Sequence, residues 1–106
     1  MKTLFYILLL CSLSGQAQNF AKLWQPIQAR IDKGGSFSNE ELNSFLKTHD
    51  KLLQQNLIEK SILIDYLGSN AFKAEQYEES VNYFNQAIDI CNSINDTVYR
   101  AFYIYE

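Results

Sequence analysis

Several residue types that mark specialised protein classes are scarce in this 106-residue chain. Four glycines and one proline exclude a collagen-like or Pro/Gly-rich low-complexity chain. Nine lysines and arginines against twelve acidic residues, a net charge of −3, exclude a basic nucleic-acid-binding module. Hydrophobic residues make up 47% and aromatics 14%, so we do not expect intrinsic disorder, and the length allows one small domain.

Residues that commonly bind metals or perform catalysis are also few. The single histidine, His49, lies about forty residues before Cys91, and the two form no metal-ligand set. We expect His49 to be a packed imidazole and Cys91 a buried small residue. Carboxylates such as Asp50 and Glu59 are spaced like solvated charges on helix surfaces, and no Gly-rich phosphate loop is present. The sequence therefore predicts no enzymatic activity, no metal and no cofactor.

The N-terminal residues 1–17 have the pattern of a secretory signal peptide. A positive start at Lys2 precedes an apolar run over Leu4–Cys11, which is shorter than the about 20 residues of a membrane span. Gly15 and Ala17 supply the small residues that a cleavage site after Ala17 requires. A lipoprotein signal acylated at Cys11 is the less favoured alternative, because the preceding leucine is not small. We expect an exported bacterial protein, periplasmic or secreted, whose mature chain begins at Gln18.

Apolar residues recur at helical spacing after this segment. Gly34 and Gly35 end the first predicted helix, and Pro26 indicates that it begins near Gln25 or kinks there. Its apolar face consists of Phe20, Leu23, Trp24, Ile27 and Ile31.

A capping box and a hydrophobic staple predict the start of a second helix. Ser38 caps it with Glu41 three residues on, while Phe37 and Leu42 are placed to form the staple. A break is expected at Gln55-Asn56, since asparagine tolerates the left-handed conformation. The apolar stripe of this helix is Leu42, Phe45, Leu46, His49 and Leu53.

Two longer helices and the start of another are predicted in the remainder of the chain. The third helix covers about 57–73 and the fourth about 77–91, followed by a polar loop over 92–96 and a fifth helix over 97–106. No strand alternation or hairpin turn is present. The predicted fold class is all-α. The third helix carries Ile58, Ile62, Leu63, Tyr66, Leu67 and Phe72, and the fourth carries Tyr77, Val81, Phe84, Ala87, Ile88 and Cys91.

The third and fourth helices together resemble a tetratricopeptide repeat. That family has the pattern W-x2-L-G-x2-Y, then A-x3-F, then P. This chain reads Ile64-x2-Leu67-Gly68-x2-Ala71 and then Ser80-x3-Phe84, with Asn92 where the proline is usual. The resemblance implies stacked antiparallel helical hairpins, a short solenoid, in which small residues allow close helix approach. The repeat-packing residues would be Leu67, Gly68, Tyr77, Ser80, Phe84 and Ala87.

The resemblance also implies a domain organisation and a binding surface. The chain would comprise the signal peptide 1–17, a degenerate helical hairpin over 18–56, the repeat-like pair over 57–94, and over 95–106 the first helix of a further, incomplete repeat with a period of about 40 residues. In this family the first helix of each repeat lines a groove for a protein or peptide. The corresponding groove residues are Ile62, Asp65, Ser69, Phe72 and Lys73.

Three hypotheses of function remain open at this point. The first is an exported interaction module that forms the N-terminal part of a larger bacterial signalling protein, with membrane attachment only through downstream sequence. The second is a complete small secreted protein that self-associates through the apolar segment Phe102–Tyr105. The third is the helical lead of a CHAT-type protease chain. All three predict contacts with protein and none with nucleic acid.

Overall fold

The computed structural model describes residues 19–104, and the side chains of residues 19–95. Within that range every regular element is an α-helix, so the predicted all-α class is confirmed. The predicted signal peptide over 1–17 and the side chains of Phe102–Tyr105 lie outside the described part. The chain divides into two units, Met1–Ser36 and Phe37–Glu106, and this division falls inside the hairpin predicted over 18–56. The helices are α1 (19–32), α2 (Asn39–Thr48), α3 (Asp50–Gln54), α4 (Leu57–Lys73) and α5 (Tyr77–Ile104).

Helix α1 carries an apolar face and passes through its proline. Phe20 and Trp24 are buried, with ring centroids 6.1 Å apart, as the periodicity predicted. Of the two alternatives predicted at Pro26, a helix start near Gln25 is wrong, because residues 19–24 are already helical, and the kink stays a prediction. Pro26 removes the hydrogen bond to the Lys22 carbonyl, yet residues 19–32 remain helical and the apolar face continues with Ile27.

Both α1 and α4 end in a Schellman motif. In α1, Gly34 takes φ +71°, and Gly35 N–H donates to the carbonyl five residues earlier at 2.8 Å. In α4 the left-handed position is taken by Glu75, with φ +64°, and Gln76 N–H donates to the Ala71 carbonyl at 2.9 Å. The three-residue connection 74–76 reverses the chain direction between α4 and α5.

Two features interrupt the segment predicted as the second helix. The capping box forms as predicted, with Glu41 N–H donating to Ser38 Oγ at 3.1 Å. His49 has φ −112°, which divides the segment into α2 and α3. The predicted break at Asn56 is present, but its φ is −133° rather than left-handed. There the side-chain Nδ2 donates to the Leu52 carbonyl at 2.8 Å, which gives this acceptor a second bond beside the one from the Gln55 N–H at 3.2 Å.

Helix α5 is longer than predicted. The predicted loop over 92–96 and the new helix start at Thr97 are wrong, because α5 continues without interruption to Ile104. The boundary predicted at residue 95 therefore falls within a helix. No glycine or proline follows Gly68, so no residue forces a break. Ser93 Oγ donates to the Ile90 carbonyl at 2.7 Å and so satisfies its hydroxyl within the helix.

Candidate functional site

Helices α4 and α5 approach one another closely at Gly68. Ser80, which is 2% exposed, donates from Oγ to the Gly68 carbonyl at 2.9 Å. A Cβ at residue 68 would lie 2.8 Å from Cε1 of Phe84, closer than side-chain carbons approach one another. The structure therefore brings Gly68, Ser80 and Phe84 together, and a side chain at residue 68 would force the ring of Phe84 to move.

Of the other proposed repeat-packing residues, some pack between the helices and one is exposed. Leu67 is buried, and Ala87 is half-buried beside Phe84. Tyr77 does not fill the seam between the helices, because it is 55% exposed and packs edge-on against Phe72, with ring centroids 5.5 Å apart. It begins α5 at the end of the hairpin, where the two helices have only begun to overlap.

An open cleft of about 530 Å³ lies between α4 and α5 on one side of the hairpin. Two of the predicted groove residues, Ile62 and Asp65, line it from α4. Ile88 lines it from α5 and is 54% exposed. The cleft is therefore apolar, with one carboxylate at its wall. Its full lining is Ser61, Ile62, Asp65, Phe84, Ala87, Ile88, Cys91 and Asn92.

The remaining predicted groove residues lie toward the other end of α4. Ser69 is half-buried, while Phe72 and Lys73 are exposed. Phe72 contacts Tyr77 rather than the cleft. The five predicted groove residues thus follow one side of α4, with Ile62 and Asp65 at the cleft and Phe72 and Lys73 at the turn.

Two helical stripes border this side of the hairpin, and we call them together the hairpin face. The cleft joins them away from the turn, and the Phe72–Tyr77 ring pair joins them at the turn. Spacings of three and four residues keep each stripe on one side of its helix. On α4 the stripe is Ile58, Ile62, Asp65, Ser69 and Phe72, and on α5 it is Tyr77, Val81, Phe84 and Ile88.

The hairpin face carries an exposed apolar surface. Among the residues whose side chains are described, the large hydrophobic residues that are more than half exposed all lie on it. Of the α5 members, Val81 and Ile88 were predicted only as apolar residues of the fourth helix, because the spacing that marks an apolar stripe does not show whether another element covers it. These exposed residues are Ile58, Phe72, Tyr77, Val81 and Ile88.

A polar contact that was not predicted from the sequence fixes an adjacent side of α4. Asn70 donates from Nδ2 to the Phe37 carbonyl at 2.8 Å and to Asn39 Oδ1 at 3.0 Å. Next to it, the rings of Phe37 and Tyr66 meet edge-on at 5.0 Å. An asparagine inside a helix is the one available signal, because it disfavours a helix interior unless its amide has a partner. This contact ties the start of α2 to α4 and leaves the hairpin face uncovered by α2.

The two residues considered earlier for metal binding or catalysis lie apart. His49 is half-buried and packs on Phe45, with ring centroids 4.7 Å apart, as predicted. Cys91 is exposed at the edge of the cleft, so the prediction of a buried cysteine is wrong. It lies one helical turn after exposed Ile88, on the same side of α5.

Comparison with known proteins gives no assignment for this chain. No family model, curated protein or solved structure matches it significantly. Within residues 19–104, no group of three or more His, Cys, Asp or Glu side chains is arranged to hold a metal ion. None of the helices in that range has the length and hydropathy needed to cross a bilayer. The contacts of the α4–α5 hairpin therefore carry the functional argument.

Proposed function

We propose that this chain is an exported protein-interaction module of tetratricopeptide type. The observation that carries the proposal is the contact of Gly68, Ser80 and Phe84. These are the positions at which the repeat pattern has glycine, alanine and phenylalanine. A hairpin whose helices approach through small residues presents flat sides, and stacked hairpins of this type form surfaces that bind other proteins.

The proposed binding surface is the groove side of α4. Phe72 is 59% exposed and would bury its ring in a partner, as aromatic anchors do at protein interfaces. Asp65 and Lys73 are exposed on the same side of the helix and would select the polar groups of the partner. Ile62 and Ser69, both half-buried, form the floor between them.

The proposed interaction module is limited to the α4–α5 hairpin. The continuation of α5 to Ile104 removes the loop at which a further repeat was expected to begin. The role of this pair as the N-terminal part of a larger signalling protein rests on the family resemblance.

Selection from a random peptide library against the full chain tests the binding function. We expect enriched peptides with micromolar dissociation constants, because a single hairpin offers a small surface. Phe72→Ala should weaken the binding of these peptides at least tenfold. Lys73→Ala should weaken peptides that carry a carboxylate, and Lys51→Ala on α3 is its matched control. Peptides whose binding is unaffected by both groove substitutions would contradict the proposed surface, and a selection without enrichment would contradict the function.

Export is tested separately from binding. The expressed protein should be recovered outside the cytoplasm with Gln18 as its first residue, as mass spectrometry of the N-terminal peptide would show. Recovery of a chain that retains Met1, or of one with a lipid on Cys11, would contradict the predicted signal peptide.

A further inference from the structure

The hairpin face is a two-helix surface and extends beyond the groove of α4. Val81 and Ile88 of α5 are 58% and 54% exposed, and with Phe84 they continue the apolar surface across the seam. Contiguous exposed apolar surface on a small protein marks a place where something else binds. The surface to be covered therefore includes α5 as well as α4.

The dimensions of the hairpin face suit a helix of about four turns. Ile58 and Phe72 are fourteen residues apart on α4, which is about 21 Å along a helix axis. The seam between α4 and α5 runs along this length, and the cleft of about 530 Å³ opens in its part away from the turn. An amphipathic helix lying in such a seam places large apolar side chains into the cleft at intervals of three and four residues.

The charges on this side of the hairpin are mostly negative. Asp65 lies at the cleft, and Glu78 and Asp89, both exposed, directly follow Tyr77 and Ile88 of the α5 stripe. A residue one position on lies 100° further around the helix, so these two carboxylates border the outer edge of the face.

The positive charges are fewer on this side of the hairpin. Lys73, which follows Phe72, is the one cation at a corresponding position on α4. Lys60 is two positions after Ile58 and so points to the other side of α4. Glu59, which is half-buried, follows Ile58 in the same way, so the apolar face is bordered by four carboxylates and one ammonium group.

We propose that the hairpin face binds an amphipathic helix of a partner protein whose apolar side is bordered by lysine or arginine. The inference rests on the proposed interaction function and specifies the chemistry of the partner. Cations at the partner's edges would lie beside Asp65, Glu78 and Asp89, which favours the encounter and fixes its orientation. A second copy of the chain is a poor occupant, because it would bring the same carboxylates against one another.

The test uses two synthetic 18-residue helices with the same Leu/Ala apolar side, one with lysine edges and one with glutamate edges. Their binding to the full chain is measured by fluorescence anisotropy at low and high salt. We expect the lysine peptide to bind at least tenfold more tightly at low salt, and this preference should shrink several-fold at 0.5 M salt through screening. Val81→Ser should weaken binding of the lysine peptide severalfold, and a thermal melt should show that the variant is still folded.

Charge reversal identifies the residues responsible. Asp89→Lys should reduce the preference for the lysine peptide at least threefold, whereas the same change at exposed Asp50 on α3 should leave it unaltered. Equal affinity for both peptides, or equal effects of the two reversals, would overturn the inference. Self-association that Val81→Ser abolishes would identify a second copy as the occupant and also overturn it. Library peptides that bind the groove without basic residues would overturn this inference while leaving the proposed function intact.

Discussion

Substitution of Gly68 by alanine should have opposite effects on stability depending on the residue at position 84. In the native chain the added Cβ would lie 2.8, 2.9 and 3.1 Å from three carbons along one edge of the Phe84 ring. Ordinary contact begins near 3.4 Å, so the ring must move by about 0.6 Å. Overpacking of this kind costs about 1–3 kcal/mol. Alanine also raises helix propensity over glycine by about 1 kcal/mol.

The overpacking cost and the gain in helix propensity together predict whether Gly68→Ala destabilises or stabilises the fold in each background. With Phe84 present, Gly68→Ala should destabilise the fold by up to about 2 kcal/mol, because overpacking outweighs propensity. With Phe84→Ala the obstruction is gone, and the same substitution should stabilise the fold by about 1 kcal/mol. In the native background Gly68→Leu should cost on the order of 1–3 kcal/mol, since the larger side chain cannot avoid the ring.

Thermal and urea unfolding of the four variants in a double-mutant cycle measures this coupling. For a domain of this size, 1 kcal/mol corresponds to a change in Tm of about 4–8 °C. We expect a coupling energy of about 1–3 kcal/mol between residues 68 and 84. Independent sites add within about 0.5 kcal/mol. If Gly68→Ala has the same effect in both backgrounds, the close approach of α4 and α5 at Gly68 does not exist as described.

Two further predictions concern α4. Glu75→Gly should raise stability by about 0.5–1 kcal/mol, because glycine adopts the left-handed C-terminal position of α4 without the steric cost that glutamate bears there, and a lower Tm than the native chain would argue against that conformation. Asn70→Ala should lower stability by about 1 kcal/mol in urea unfolding through loss of its bonds to Phe37 and Asn39, whereas exposed Asn85→Ala on α5 should be neutral or slightly stabilising; equal effects would mean that Asn70 does not tie α2 to α4.

Local signals in the sequence placed most helix boundaries correctly. Glycines at 34 and 35 end α1 because one of them adopts a left-handed conformation at low cost. The Ser38 and Glu41 pair starts α2 because both partners lie within one helical turn. The C-terminal end of α5 was predicted wrongly for a different reason. Its polar residues 92–96 only weaken helix propensity, and no local signal there is strong enough to stop a helix that has already formed.

The sequence by itself determined the all-α class and most of the helix ends, and the resemblance to a repeat pattern pointed to the pairing of Gly68 on α4 with Ser80 on α5. The class and the helix ends depend on periodicity and caps, which are local properties of the chain. Only the tertiary structure decided which apolar stripes are covered. Tyr77, Val81 and Ile88 have the same spacing as a buried stripe, yet each is more than half exposed. Burial depends on what the rest of the chain places against a surface, and spacing along one helix carries no record of that.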